Sequence, residues 1–94
     1  MRDETNRTPL LIACEKDFTS CVKVFLNAGA NPNVIDRRGN TGLHHSAMIG
    51  NESIAQMLVA HGVNNSLQNN DRMTALAIAR SRRHFKVVDV IAKK

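Results

Sequence analysis

The sequence lacks tryptophan and tyrosine, and phenylalanine is its only aromatic residue, with three copies. The core must therefore consist mainly of leucine, isoleucine, valine and alanine, which suits helices that pack closely together. Cysteine is also scarce. Because Cys14 and Cys21 have no cysteine-rich context, we expect two buried free thiols and no disulfide.

Signals for a membrane or for secretion are missing as well. No apolar run approaches the roughly 20 residues that a membrane-spanning helix needs. Charged residues interrupt the N-terminal segment MRDETNRTPLLIACEKDFTS too often for a secretory signal. We therefore expect an intracellular protein, cytoplasmic or nuclear, without a transmembrane segment.

The residue patterns of catalysis and of metal binding do not occur. The eight carboxylates are scattered, no serine or cysteine has a base-and-orienter pattern, and there is no glycine-rich phosphate loop. His44 and His45 are neighbours, but adjacent helical residues point about 100° apart and cannot converge on one ion. The sequence therefore predicts no enzyme, no metal site and no cofactor.

The charge is unevenly distributed along the chain. Residues 1–71 carry six Lys or Arg and seven Asp or Glu, whereas residues 72–94 carry seven and one, which gives −1 and +6. The basic segment could serve an acidic partner, nuclear localisation or nucleic-acid contact. Because Val87, Val88, Val90 and Ile91 within it are needed for a core, we expect a folded helix with a charged face. Nucleic acid is not the expected partner, since stacking aromatics are absent and the patch is local.

The sequence does contain an internal repeat. Thr8, Thr41 and Thr74 stand 33 residues apart, and Gly29 and Gly62 keep the same interval. Each unit predicts a helix capped by threonine, a turn, a second helix and an extended turn, and glycine ends the second helix of the first two units. The second helices are predicted at about 19–28, 52–61 and 85–93. In the segment IDRRGN, a β-turn is predicted between Asp36 and Gly39.

These motifs resemble the ankyrin repeat family. The family's Thr-Pro-Leu-His box corresponds to TPLL at 8–11, TGLH at 41–44 and TALA at 74–77. Its Gly-Ala-Asp-x-Asn segment corresponds to GANPN at 29–33 and, more weakly, to GVNNS at 62–66. The resemblance implies an all-α solenoid of helix-turn-helix pairs joined by β-turn fingers. The whole chain, 1–94, would form one domain, with repeats at about 3–35, 36–68 and 69–94.

Several residues are expected to support this framework. The resemblance implies that His44 hydrogen-bonds to the capping threonine and nearby backbone. His45 replaces the isoleucines found at positions 12 and 78, so we expect a buried or half-buried neutral imidazole, and a pH-sensitive role stays open. The predicted structural residues are Thr8, Thr41, His44, Thr74, Gly29 and Gly62.

The third repeat departs from the pattern. Arg72 and Arg83 stand where the second repeat has glycine, and Arg80 stands where smaller residues occur, so this repeat is expected to face solvent. Gly42 occupies the usual proline position, which weakens the start of its helix. The chain also stops at Lys94, one residue before the next matching glycine, so we expect a piece of a longer protein.

The resemblance places partner contacts on the fingers and on the concave side of the first helices. Met48 and Ile49 are suggestive there, because the equivalent residues in the other repeats are charged or polar. The predicted contact residues are Arg7, Lys16, Arg37, Arg38, Asn40, Met48, Ile49, Asp71, Met73 and Arg82. We expect a monomeric, non-catalytic module that binds an unidentified protein. The alternatives are a structural spacer and a weak electrostatic attachment to nucleic acid or an acidic membrane.

Overall fold

The computed structural model describes residues 8–92, and in this range the chain forms six α-helices and no β-strand. The helices are α1 (Pro9–Glu15), α2 (Thr19–Asn27), α3 (Gly42–Ile49), α4 (Glu52–Ala60), α5 (Ala75–Ser81) and α6 (Phe85–Ala92). Each odd-numbered helix packs against the helix that follows it. The first helices α1, α3 and α5 also pack side by side, as do the second helices α2, α4 and α6. The prediction of an all-α repeat solenoid is confirmed.

Each first helix begins at a threonine whose hydroxyl caps it. The hydroxyl oxygens of Thr8 and Thr74 accept hydrogen bonds from the backbone N–H groups of the residues three positions on, at 3.3 Å and 3.1 Å. Thr41 accepts the equivalent bond from His44 at 3.3 Å. These bonds satisfy N–H groups that have no partner within the helix, so the caps fix where each repeat starts.

Gly29 and Gly62 follow the ends of the second helices α2 and α4 by two residues and have φ angles of +96° and +84°. In this left-handed conformation, the N–H of the next residue reaches back to a carbonyl of the last helical turn. The distances are 3.0 Å from Ala30 to Phe25 and 3.1 Å from Val63 to Leu58. A residue without Cβ is the natural choice at such an ending.

Within residues 8–92, three residues other than glycine also have a left-handed backbone. Asp17, Arg72 and Arg83 have φ angles of +67°, +63° and +60°. Arg72 matches Gly39 of the preceding repeat, and Arg83 matches Gly50. The turns therefore keep the conformation of the glycine repeat even where the glycine is missing, at a cost of roughly 1–2 kcal/mol each.

The core lies between the two layers of helices and is continuous through the three helix pairs. Cys14 is buried in it, but Cys21 is exposed, so the prediction that both thiols are buried was wrong for Cys21. Position 21 corresponds to Ile54 and Val87, which are both buried. This position is buried where another helix pair precedes it, and the described residues contain no pair before α1 and α2. None of the helices in residues 8–92 is long and apolar enough to cross a membrane.

Candidate partner-binding groove

Asp36 organises the second finger, which is the turn between α2 and α3. One of its carboxylate oxygens accepts hydrogen bonds from the backbone N–H groups of Arg38 and Asn40, at 2.9 Å and 3.0 Å. The backbone N–H of Gly39 closes the predicted turn by donating to the Asp36 carbonyl at 3.0 Å. The other carboxylate oxygen lies 3.0 Å from Nε2 of His45 on α3. The finger is thus tied both to itself and to the helix beside it.

The second finger is also bonded to the third, which precedes α5. The backbone N–H of Asn70 donates to the Arg38 carbonyl at 2.8 Å, and its side-chain amide donates to the Arg37 carbonyl at 3.1 Å. The Asn69 amide donates to the side-chain oxygen of Asn40 at 2.8 Å. These bonds hold the backbone of both arginines in place, while their side chains stay exposed.

His44 links the start of α3 to the next repeat. Its Nδ1 accepts the backbone N–H of Thr41 at 3.1 Å, and its Nε2 lies 2.9 Å from the Met73 carbonyl. A backbone N–H can only donate and a carbonyl can only accept, so Nε2 carries the proton and Nδ1 does not. Burial lowers the pKa of His44 from its usual value of 6.5, which favours this neutral form.

His84 makes a second link between repeats that the sequence pattern did not reveal. Its Nδ1 donates to the Ala47 carbonyl near the end of α3, at 2.7 Å. The ring also lies against Gly50, where a Cβ would come within 3.0 Å of it. His84 therefore connects the turn before α6 to the preceding helix pair.

A groove of about 450 Å³ opens between the second finger and the first helices α1 and α3. Met48 of α3 is half-buried there and packs against the core. The groove is lined by Glu15, Asp36, Arg37, Arg38, Asn40, His45 and Met48. Charged finger residues and an apolar helix residue thus share one concave surface.

The groove brings together some of the predicted contact residues and leaves out others. Arg37, Arg38 and Met48 face it, whereas Asn40 is only 5% exposed and accepts the bond from Asn69. We therefore leave Asn40 out of the proposed contact surface. Arg7 lies outside the described residues. The predicted residues that do not line the groove are Lys16, Ile49, Asp71, Met73 and Arg82.

Asp36 and His45 line the groove although they were not among the predicted contact residues. Both residues stand out in the sequence. Asp36 opens the predicted turn, and His45 occupies a position that is isoleucine in the other two repeats. Their shared hydrogen bond, which joins the finger to α3, depends on the folded geometry. It could not be predicted from either signal alone.

Residues 8–92 contain no cluster that could hold a metal ion, and their buried cysteine is a poor nucleophile. No group of three or more His, Cys, Asp or Glu residues between positions 8 and 92 could hold a metal ion. Burial raises the pKa of the Cys14 thiol to about 12, so this sulfur is not a nucleophilic thiolate at neutral pH.

The chain belongs to the ankyrin repeat family, since the family model for ankyrin repeats matches residues 10–94 with three copies. Ankyrin repeats are protein-interaction modules. The chain is 39% identical over 93 residues to a probable E3 ubiquitin-protein ligase, XBOS34, of Oryza sativa subsp. japonica, covering 95% of this chain and 18% of that protein.

Two other relatives also match over most of this chain. A putative E3 ubiquitin-protein ligase of Arabidopsis thaliana, XBAT35, is 34% identical, with 97% of this chain and 20% of the relative covered. The neurogenic locus notch homolog protein 1 of Danio rerio is 37% identical, with 81% of this chain and 3% of the relative covered. The chain thus spans about a fifth of the two ligases. What it shares with all three relatives is a short region of much longer proteins.

Proposed function

We propose that this chain is a non-catalytic module that binds another protein through the groove below its second finger. Arg37, Arg38 and Met48 are the central contacts. The observation that carries the proposal is the groove itself, in which an apolar helix residue and two exposed finger arginines line the same concave surface.

The composition of this surface suits binding. Methionine and arginine are both enriched in protein interfaces, and an apolar anchor with a polar rim is the usual arrangement. Among the described residues, no carboxylate lies within ion-pair distance of the Arg37 or Arg38 guanidinium. Within residues 8–92, neither group thus has an ion pair that a partner would first have to break.

The rigidity of the finger supports the same proposal. Asp36 holds the finger through two backbone N–H groups and His45, and Asn70 fixes both arginine carbonyls. Because this backbone is already ordered, little conformational entropy is lost when a partner docks. Preorganisation of this kind raises affinity without requiring a large contact area.

Affinity capture from cell extract tests the proposal with two matched variants. Arg38→Glu/Met48→Gln alters the groove. Lys86→Glu/Met57→Gln makes the same chemical changes in the second-helix layer, where Met57 is also half-buried. Circular dichroism and thermal unfolding first establish that all three proteins are folded, and Arg38→Glu alone serves if the groove variant is not.

We expect the unaltered chain and the Lys86→Glu/Met57→Gln variant to capture the same protein in similar yield. The groove variant should retain at most about one tenth as much of that protein, as expected when central contacts of an interface are removed. If the groove variant captures the same proteins as the unaltered chain, the groove is not the binding surface. Capture of nothing by any of the three would favour the spacer interpretation.

A further inference from the structure

We infer that the segment bound in this groove is acidic and carries an apolar side chain, an inference that rests on the proposed function. The acidic part would meet Arg37 and Arg38 on the second finger, and the apolar side chain would pack on Met48. Charge and burial in the groove support this choice in three steps.

The first step concerns the arginines. Both side chains are exposed, and their backbone positions are fixed by Asn70 of the third finger. A guanidinium group binds a carboxylate through two parallel hydrogen bonds, which makes arginine the preferred residue for such contacts. Two adjacent arginines without a carboxylate at ion-pair distance among residues 8–92 therefore favour a ligand with acidic side chains.

The second step concerns the acidic residues of the groove. Asp36 is only 9% exposed, and its oxygens accept two backbone N–H groups and face His45. These partners engage its charge, so it opposes an acidic ligand only weakly. Glu15 lies on the α1 side of the groove. The geometry thus favours a ligand whose acidic part lies on the finger and whose neutral part crosses α1.

The third step concerns Met48. The equivalent positions are Glu15 in the first repeat and Ser81 in the third, so this position of the repeat is apolar only in the second repeat. A methionine side chain is flexible and polarisable, and it adapts its shape to an incoming apolar group. A purely charged ligand would leave this surface uncovered, whereas a leucine or phenylalanine between acidic residues would bury it.

Selection from a random peptide library displayed on phage tests the inference without assuming a sequence. The complete chain is immobilised, and the enriched peptides are synthesised with a fluorescent label. Their affinities are measured by anisotropy for the unaltered chain, for Arg37→Glu/Arg38→Glu, for Met48→Gln and for Arg80→Glu/Arg83→Glu. The last variant is a charge-matched control, because it also replaces two exposed arginines. Circular dichroism checks that each protein is folded.

We expect enriched peptides with net negative charge and at least one large apolar residue. Arg37→Glu/Arg38→Glu should weaken their binding by about tenfold or more, while the control should change it by less than about twofold. Replacing the peptides' Asp and Glu by Asn and Gln should abolish binding, and binding should weaken as salt is added.

The other outcomes separate the two proposals. Peptides that need the groove but are neutral or basic would overturn the acidic inference and leave the proposed function standing. Acidic peptides whose binding is lost only in the Arg80→Glu/Arg83→Glu variant would place the anion site at the third repeat, which also overturns it. If no enriched peptide depends on Arg37, Arg38 or Met48, both proposals fail.

Discussion

Substitutions at Gly42 and at Cys14 should have coupled effects on the free energy of unfolding. Because of this coupling, Gly42→Ala should destabilise the chain, although helix propensity alone suggests that it would stabilise it. A glycine at the start of α3 invites replacement by alanine, which forms helices better by up to about 1 kcal/mol. In the structure, however, a Cβ at position 42 would meet the Cys14 sulfur at 2.7 Å and a methyl carbon of Leu58 at 3.3 Å. Cys14 is completely buried, so its sulfur has little room to move.

The magnitude follows from the two opposing effects. Overpacking a well-filled core costs about 1–3 kcal/mol, so Gly42→Ala should lower the free energy of unfolding by about 1–2 kcal/mol after the helix gain is subtracted. Cys14→Ala alone should cost about 1 kcal/mol, since it removes one buried sulfur. With alanine at position 14, the remaining contacts of the new Cβ are the Cβ of residue 14 at 3.6 Å and the Leu58 methyl carbon at 3.3 Å, so Gly42→Ala should then be close to neutral, because the helix gain offsets the one tight contact that is left.

Urea unfolding of the four proteins, followed by circular dichroism, measures the coupling as a double-mutant cycle. We expect a coupling free energy of about 1–3 kcal/mol in favour of the double variant. The reasoning is refuted if the two changes add to within about 0.5 kcal/mol, or if Gly42→Ala stabilises the chain when Cys14 is present.

Four further predictions concern individual residues. His44→Ala should cost about 2–4 kcal/mol, because a buried N–H and a carbonyl lose their partner, whereas His61→Ala, at an exposed position, should stay within about 0.5 kcal/mol. Equal losses in urea unfolding would contradict this. Since burial lowers the pKa of His44 below 6.5, the unfolded chain binds more protons just below that pH. The free energy of unfolding should therefore be at its full value above pH 6.5 and decline as the pH falls through it, with a smaller decline in His44→Ala. Arg83→Gly should raise the free energy of unfolding by about 1 kcal/mol, and with it the urea midpoint, because glycine adopts the left-handed backbone conformation of this position without strain. An unchanged midpoint would argue against that strain. In native protein, a thiol reagent at pH 8 should modify the exposed Cys21 quickly and the buried Cys14 only on unfolding, and two fast thiols would contradict the structure.

The helix boundaries could be predicted because their causes are local. A threonine hydroxyl reaches the N–H three residues later, and a glycine turns left-handed at a helix end, whatever lies nearby. The second helices accordingly fall at Thr19–Asn27, Glu52–Ala60 and Phe85–Ala92, close to the predicted spans. Because the sequence repeats every 33 residues, a helix boundary predicted in one unit also predicts the equivalent boundary in the next.

Burial could not be predicted in the same way, because it depends on neighbouring repeats. Cys21 shares its register position with Ile54 and Val87, yet it alone is exposed. Asn40 lies on a finger, where exposure was expected, but the Asn69 amide of the next finger covers it. In both cases the sequence gives the position within a repeat, while exposure is decided by what stacks against that repeat.

The same distinction explains the candidate groove. His45 and Met48 depart from their columns in the repeat, and both line the groove. Ile49 departs just as clearly and is 41% exposed, but it does not line the groove. A departure from the repeat marks a side chain that the other repeats do not share, but it does not tell where that side chain points. Whether a side chain points into the groove depends on how the fingers are positioned. Here that position depends on the bond between Asp36 and His45 and on the bond from Asn70 to the neighbouring turn. The proposed binding surface therefore lies where departures from the repeat and bonds between fingers coincide, and among the described residues that place is the second finger with α3.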